Sequence, residues 1–407
     1  MKRPAAFALL LLLLCFPFKS EAGFTFREDV KSVKIPVEII NNIVLIPVRI
    51  NGSFELNFIF DTGVRTTILT EPLLSNFLSL DSLQKVKVRG LGEGDAIEAI
   101  LARNVSMTLP GVLGKGINLI VLPQGIISYS EMFGKPVFGI IGYEIFGQFV
   151  VEIDYQNKFV RLYDPFSFKL KGKWKRNELP IEVRKGKPYV NAKLIDHLGG
   201  EIESKWLIDT GASQAVALFD KNLEVPDQTV ETFLGKGLSG DVYGRLGRVQ
   251  GFQLGKFTFK DVIAGYPEVG SLNILHGKKS VWYGNLGAEI ISRFNVIFDY
   301  PRRRLYFKKN NKYRKPFTYN VSGIEVLAKG HTYENFFISY VRPNSPAAEA
   351  GIQIDDEIVA LNGISISGLD IGDMYLNLNK KIGKKISVKI RRGESTFKKR
   401  FSLISEL

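Results

Sequence analysis

Apolar and polar residues alternate along IVLIPVRI (Ile43 to Ile50) and again along ELNFIFD (Glu55 to Asp61), with Asn51-Gly52 between them. A period of two marks a half-buried strand, and Asn-Gly supplies the positive φ angles of a tight turn, so the spacing predicts a β-hairpin. YVNAKLI (Tyr189 to Ile195) and ESKWLID (Glu203 to Asp209) repeat that plan. No long run carries helical periodicity. The segments GLGEGDAI (Gly90 to Ile97) and GKGLSGDVY (Gly235 to Tyr243) are turn chemistry and predict exposed hairpin tips. After Lys315 the pattern changes. Ser345 can cap a short helix, Pro346 suits its first position and Gly351 its end. A strand, EIVALNG, follows, with a turn at Asn362-Gly363.

The middle of the chain is written twice. FIFDTG (Phe58 to Gly63) returns as WLIDTG (Trp206 to Gly211) 148 positions later. GYEIFGQFVVEIDY (Gly142 to Tyr155) returns as GAEIISRFNVIFDY (Gly287 to Tyr300), with seven of fourteen residues identical. Gly94-Asp95 and Gly240-Asp241 fall between these landmarks in both copies, and Arg161-Leu162-Tyr163 answers Arg304-Leu305-Tyr306. Ordered landmarks at a near-constant offset indicate an internal duplication, and units this long predict two compact, mostly β lobes.

Length and composition agree with several folded domains: 407 residues exceed one ordinary core, and 45% hydrophobic with 24% charged residues is globular. The N-terminal run from Ala5 to Phe18 is basic-flanked and short for a membrane span. Ser20-Glu21-Ala22 follows it as a small-x-small site, which predicts a secretory signal cleaved after Ala22 and an exported chain, periplasmic or secreted. Lipoprotein processing at Cys15 is disfavoured because Leu14 precedes it. Cys15 is the only cysteine, so the mature chain is expected to hold no disulfide and no thiol. His197, His276 and His331 stand in unrelated contexts, which leaves Ser-His, Cys-His or metal chemistry without a residue set; no cofactor and no metal are expected. The net charge of +14 falls to +12 without Lys2, Arg3, Lys19 and Glu21. Much of it lies in KLKGKWKR (Lys169 to Arg176) and PRRRLYFKKNNKYRK (Pro301 to Lys315), which read as solvated junctions or an attraction to anionic membrane surface. Nucleic acid is not an expected partner of an exported chain.

The chemistry suggested by a doubled aspartate is that of a pair. Two carboxylates within hydrogen-bond reach cannot both ionise, so they share a proton. One can then deprotonate water while the other donates to a substrate carbonyl. Equivalent loops of two similar lobes would bring Asp61 and Asp209 together within one chain. Gly63 and Gly211 would let the backbone turn there, and Thr62 and Thr210 are placed to hydrogen-bond across the interface.

Apolar-apolar-Asp-Thr-Gly, followed about eighty residues later by Ile140-Ile141-Gly142 or Asn285-Leu286-Gly287, resembles the retropepsin-like aspartic proteases. The arrangement is similar to a bacterial single-chain version with two lobes and an appended PDZ domain. The resemblance implies a mainly β fold: two duplicated retropepsin-like β-barrel lobes forming a pseudo-dimer, at residues 23–168 and 169–312, after a signal at 1–22. It implies a catalytic dyad of Asp61 and Asp209, supported by Thr62, Gly63, Thr210, Gly211 and Ser213. Gly-rich flaps, roughly Val88 to Leu101 and Leu234 to Leu246, would close over the cleft, with Gly92, Gly94, Gly240 and Tyr243 against substrate. Three features depart from the family. Lobe one reads DTGVR where the family places Ala and a small polar residue. Arg65 there is open to three readings: a pair with Glu144, a contact to a substrate carboxylate, or a lobe whose catalysis has decayed. Asn285 stands where an apolar residue is expected, and the first flap has no aromatic.

SPAAEAGIQIDDEIVALNG (Ser345 to Gly363) resembles the bacterial PDZ signature and implies an α+β PDZ domain over 316–407. Such domains add a peptide, often a free C-terminus, to a sheet edge. The carboxylate loop would lie near Val321 to Val326, which lacks a clear Gly-hydrophobic repeat; a docking or lid module without a free ligand is the other reading. The function implied is an exported aspartic endopeptidase, monomeric, acting on polypeptides in the inter-lobe cleft. The alternative is a non-catalytic peptide-binding or scaffold protein using the same cleft and PDZ domain.

Overall fold

The computed structural model describes residues 22–220, 223–268, 270–271 and 283–407. The expected signal segment up to Glu21, with Cys15, and His276 lie outside the described residues.

Among the described residues the chain is mainly β, and its longest helix has eight residues. In the first lobe six strands close into a barrel, in the order Val112–Val121, Thr67–Leu69, Gly139–Ile141, Leu56–Phe60, Ile43–Ile50, Ile97–Leu109 and back to Val112–Val121. Alternation along Ile43–Ile50 sends Val44, Ile46, Val48 and Ile50 into the barrel interior. Ile43 and Leu45 point the other way, into a second apolar cluster under the helix Tyr129–Phe133. Both faces are therefore covered. The second lobe closes the same way, through Lys187–Ile195, Glu201–Asp209, Gly284–Gly287, Val216–Leu218, Phe257–Pro267 and Gly240–Leu254.

A separate six-stranded sheet joins the lobes. Its two central strands, Val150–Asp154 and Phe294–Asp299, are the duplicated FVVEIDY and FNVIFDY segments, and they pair antiparallel with Val151 opposite Phe298 and Ile153 opposite Val296. Phe159–Tyr163 and Arg304–Lys309 flank them, and Ser32–Pro36 and Glu178–Pro180 form the edges. The basic run from Pro301 is thus in part sheet rather than a solvated junction, because Leu305, Tyr306 and Phe307 are buried between its charged ends. Above this sheet Phe146 of lobe one stacks on Phe60 at 4.4 Å and on Tyr300 of lobe two at 5.6 Å, with Phe298 edge-on at 5.2 Å.

The C-terminal module is a PDZ domain: a sheet ordered Ile324–Lys329, Asn335–Val341, Glu357–Leu361, Lys385–Arg392, Ser395–Ser402, with the helices Pro346–Glu349 and Ile371–Leu378. Ser345 caps the first helix through Ala348 N–H, and Asp370 forms a capping box with Asp373 on the second. The module is not on a free tether. The helix Tyr129–Phe133 of lobe one packs on its strand Ile324–Lys329, and Tyr340 packs on Phe233 and Tyr243 of lobe two.

Phe146 is fully buried and touches both lobes, so Phe146→Ala should leave a cavity at the junction and cost about 3–5 kcal/mol. Thermal unfolding checks this; a melting temperature unchanged within a degree would mean that the lobes do not depend on this contact.

Candidate active site

Asp61 follows the strand Leu56–Phe60, and Asp209 ends the strand Glu201–Asp209. Each loop is held from beneath by the glycine motif of its own lobe. Asp61 N–H donates to Ile141 O at 2.9 Å, and Tyr143 N–H to Val64 O at 3.1 Å. In lobe two Gly287 N–H donates to Ala215 O at 2.9 Å and Ala288 N–H to Ala212 O at 2.6 Å. No side chain fits at either glycine: a Cβ on Gly142 would lie 2.1 Å from Asp61 O, and one on Gly287 2.1 Å from Gln214 O.

Across the interface the threonines bond reciprocally. Thr62 N–H donates to Thr210 Oγ1 at 3.0 Å, and Thr210 N–H to Thr62 Oγ1 at 3.1 Å. Each hydroxyl donates in turn to the opposite strand, Thr62 to Ile208 O at 2.7 Å and Thr210 to Phe60 O at 2.9 Å. Both residues are fully buried. This network sets the two aspartates face to face. Gly63 and Gly211 make the approach possible: a Cβ on Gly63 would sit 3.1 Å from Asp61 Oδ1 and 3.3 Å from Asp209 Oδ1, and one on Gly211 would strike Asp61 Cγ at 2.5 Å.

The pair is not electrostatically symmetric. Gly63 N–H donates to Asp61 Oδ1 at 2.6 Å, and Gly211 N–H to Asp209 Oδ1 at 3.1 Å. Asp209 has a further donor, Asn285 Nδ2, at 2.7 Å from its Oδ2. The equivalent lobe-one position is Ile140, which offers none. Burial, and next the neighbouring Asp209 charge, push Asp61 up to about 8. Burial raises Asp209 as well, opposed by the Lys187 charge and the Gly211 N–H. Lys187 begins its strand where lobe one has Ile43, since Tyr189 faces Leu207 as Leu45 faces Ile59.

Not every residue singled out from the sequence reaches the dyad. Ser213 is exposed and makes no bond to Asp209; Asn285, coming from beneath the loop, takes the outer oxygen instead. Arg65 is exposed, lies outside the cavity and forms no ion pair with Glu144. Its loop turns outward before the buried strand Thr67–Leu69 begins. Glu144 Oε1 accepts Thr67 N–H at 2.8 Å instead, and Glu144 Oε2 is buried without a partner. Burial pushes Glu144 up to about 7, and the Arg65 charge offsets this only slightly.

The hairpin tips meet over the dyad. Ser239 N–H donates to Leu91 O at 2.9 Å, Gly94 N–H to Ser239 O at 2.7 Å, and Gly90 N–H to Ser239 Oγ at 3.1 Å. Gly92, at φ +123°, lies so close that a Cβ would be 2.5 Å from Ser239 C. Gly92 and Gly94 therefore serve tip-to-tip contact and Gly240 the turn itself; Gly90, Leu91, Gly237 and Leu238 are among the tip residues that wall the cavity. Tyr243 lines it too, packed against Phe233 at 5.7 Å. The cavity has a volume of about 940 Å³ and is open to solvent in part. Sequence reasoning missed Lys187 and Tyr129; only proximity in the fold marks them, and the dyad charges help raise the buried Tyr129 phenol. Among the described residues no group of His, Cys, Asp and Glu could hold a metal ion.

Residues 46–145 match the family model for aspartyl proteases, and residues 337–392 match that for PDZ domains. The chain carries a retropepsin-like aspartyl protease unit followed by a PDZ domain. No curated protein matches the chain at a significant level.

Two outcomes follow from this geometry. Thr62→Val and Thr210→Val each leave buried backbone groups unpaired and should cost roughly 1–3 kcal/mol, whereas the double variant should cost less than the sum, since both act in one network; denaturant titration of the four proteins measures the coupling. Glu144 titrates about 7 in the fold against an ordinary 4.5, so its neutral form favours folding below pH 4.5 and that contribution is lost as pH rises through 7. Glu144→Gln should match the wild type near pH 4 and exceed it at pH 8, by about 3 kcal/mol. Equal pH dependence in both proteins would show Glu144 to be ordinary.

Proposed function

We propose that the protein is an exported, monomeric aspartic endopeptidase whose dyad is Asp61 and Asp209. The observation that carries this reading is the meeting of two carboxyls from duplicated loops, Asp61 buried and Asp209 half-buried, joined by reciprocal threonine bonds beneath hairpin tips that touch. The aspartyl protease match supports the same chemistry class. Both halves of the site come from one chain, so no second copy is needed. The basic start, the apolar run from Ala5 to Phe18 and the Ser20-Glu21-Ala22 site motivate export.

In this mechanism Asp209 is the ionised member, because Asn285, Gly211 and the field of Lys187 all favour its anion. Asp61 holds the shared proton, in a buried setting that favours the neutral acid. Asp209 takes a proton from a water lodged between the carboxyls while that oxygen attacks the scissile carbonyl carbon. Asp61 gives its proton to the carbonyl oxygen, forming a neutral gem-diol. Asp209 then protonates the amine as the C–N bond breaks, and a gem-diol hydroxyl proton returns to Asp61. The tips that meet over the dyad shield it in part from bulk water, which strengthens these interactions.

Incubation of the mature protein with denatured polypeptides across pH, with and without a peptide carrying a hydroxyl transition-state mimic, tests the reading. Asp61→Asn and Asp209→Asn should each abolish nearly all cleavage with the fold intact, and the double variant should lose little more. The dyad titrates as a pair, so kcat/KM should be bell-shaped, with its basic limb near pH 8 as Asp61 loses its proton. Asn285→Leu removes a donor from the anion and raises the pKa for its formation, so the acid limb should move up by about one unit. Undiminished cleavage by Asp61→Asn, or an acid limb unmoved in Asn285→Leu, would refute the dyad and its asymmetry respectively.

A further inference from the structure

The cavity does not end at the dyad. It runs on into the PDZ module, where Glu325, Leu327, Tyr340, Tyr375 and Asn379 form its far wall. Three of these belong to the strand Ile324–Lys329 and the helix Ile371–Leu378, the edge and helix between which a PDZ domain receives a peptide.

That groove is unsuited to a free C-terminus. A terminal carboxylate needs unpaired loop N–H groups, and here they are taken. Ser322 N–H and Gly323 N–H donate to Asn320 Oδ1 at 3.1 and 3.2 Å, Val321 N–H to Asn379 Oδ1 at 3.2 Å, and Ile324 N–H to Ser322 Oγ at 3.3 Å. The Glu325 carboxyl stands beside them, held by Tyr375 Oη–H at 2.8 Å and Asn320 Nδ2 at 3.0 Å, and occupies the side-chain donors nearest the loop. The other end of the groove is closed by lobe one. The helix Tyr129–Phe133 packs on the groove strand, and a Cβ on the following Gly134 would lie 3.1 Å from Ile371 Cβ. The part left open faces the dyad.

We propose that the PDZ module is the outer wall of the substrate cleft and holds the stretch of the same polypeptide that flanks the scissile bond, as an internal extended segment rather than a terminus. The occupant follows from continuity: dyad and groove line one cavity, so a chain lying across the dyad and leaving toward lobe two enters the open part of the groove. Tyr340 couples the wall to the flap through Phe233 at 6.3 Å and Tyr243 at 6.1 Å, so flank binding and tip closure share one aromatic contact. This inference rests on the proteolytic reading of the dyad.

The test uses the full mature chain and quenched-fluorescence peptides with one cleavable centre, taken from a sequence the enzyme cuts in denatured protein. Flanks are lengthened on each side in turn, and every peptide is made with a free and an amidated C-terminus. Lengthening one flank, and not the other, should raise kcat/KM at least tenfold, equally for both termini. Leu327→Trp, which narrows the open groove, should remove most of that gain. Equal kcat/KM for short and long flanks, or a preference for the free carboxylate, would overturn the proposal while leaving proteolysis standing. If no peptide is cut, fluorescence anisotropy of the amidated set decides: tenfold tighter binding of the one-sided long flank supports the wall, and equal binding refutes it.

Discussion

Two carboxyls at hydrogen-bond distance repel whenever both are ionised, so their own interaction cannot bring the lobes together. The reciprocal bonds of Thr62 and Thr210 do. Each hydroxyl accepts from the opposite threonine's N–H and donates to a carbonyl of the opposite strand, so neither loop is satisfied without the other lobe. Because the groups are buried, separation would leave four backbone partners unmatched until water reached them. The rest of the architecture serves this contact. The shared six-stranded sheet fixes the lobes below, and Phe146 packs across the junction. Gly142 and Gly287 let each glycine motif lie against its loop.

A single chain can hold this symmetric frame and still differentiate its halves, which two identical protomers cannot do. Ile140 and Asn285 occupy equivalent places, and only the second bonds a carboxyl. Ile43 and Lys187 differ likewise, placing one cation near the pair. The matched glutamates diverge as well. Glu289 pairs with Arg293 at 3.4 Å, whereas Glu144 turns to Thr67 N–H, and Gln148, at the position of Arg293, accepts from Phe24 N–H. Each substitution is small, and the first two change what surrounds Asp209 and Asp61.

The PDZ module shows how packing can redirect a fold's usual chemistry. Its strands and caps are ordinary, but its loop donors are bound by Asn320 and Asn379, and part of its groove is covered by lobe one. A surface that could have captured a terminus becomes part of a cleft wall. The aromatic contact from Tyr340 to Phe233 and Tyr243 ties that wall to the second hairpin.

Much of this was legible in the residues themselves. Strand periodicity, the Asn51-Gly52 turn and the repeated Asp-Thr-Gly and glycine motifs depend on local backbone preference and on duplication, both of which leave a regular trace. They determined two β lobes, a facing pair of aspartates and a capped PDZ helix at Ser345. The partners of single side chains were another matter. Arg65 and Glu144 look like a pair by charge and motif, yet Arg65 is turned outward and Glu144 bonds a backbone amide, because the loop's path is set by Gly142 beneath it. Ser213 looks like the dyad's support, yet Asn285 fills that place from another strand. Lys187 and Tyr129 carry no motif and reach the cavity only through the closure of the barrels. Contacts between strands distant in sequence depend on how whole sheets close and dock. No local pattern encodes that pairing, so the tertiary structure alone decided which side chain bonds Asp209 and what the PDZ groove faces.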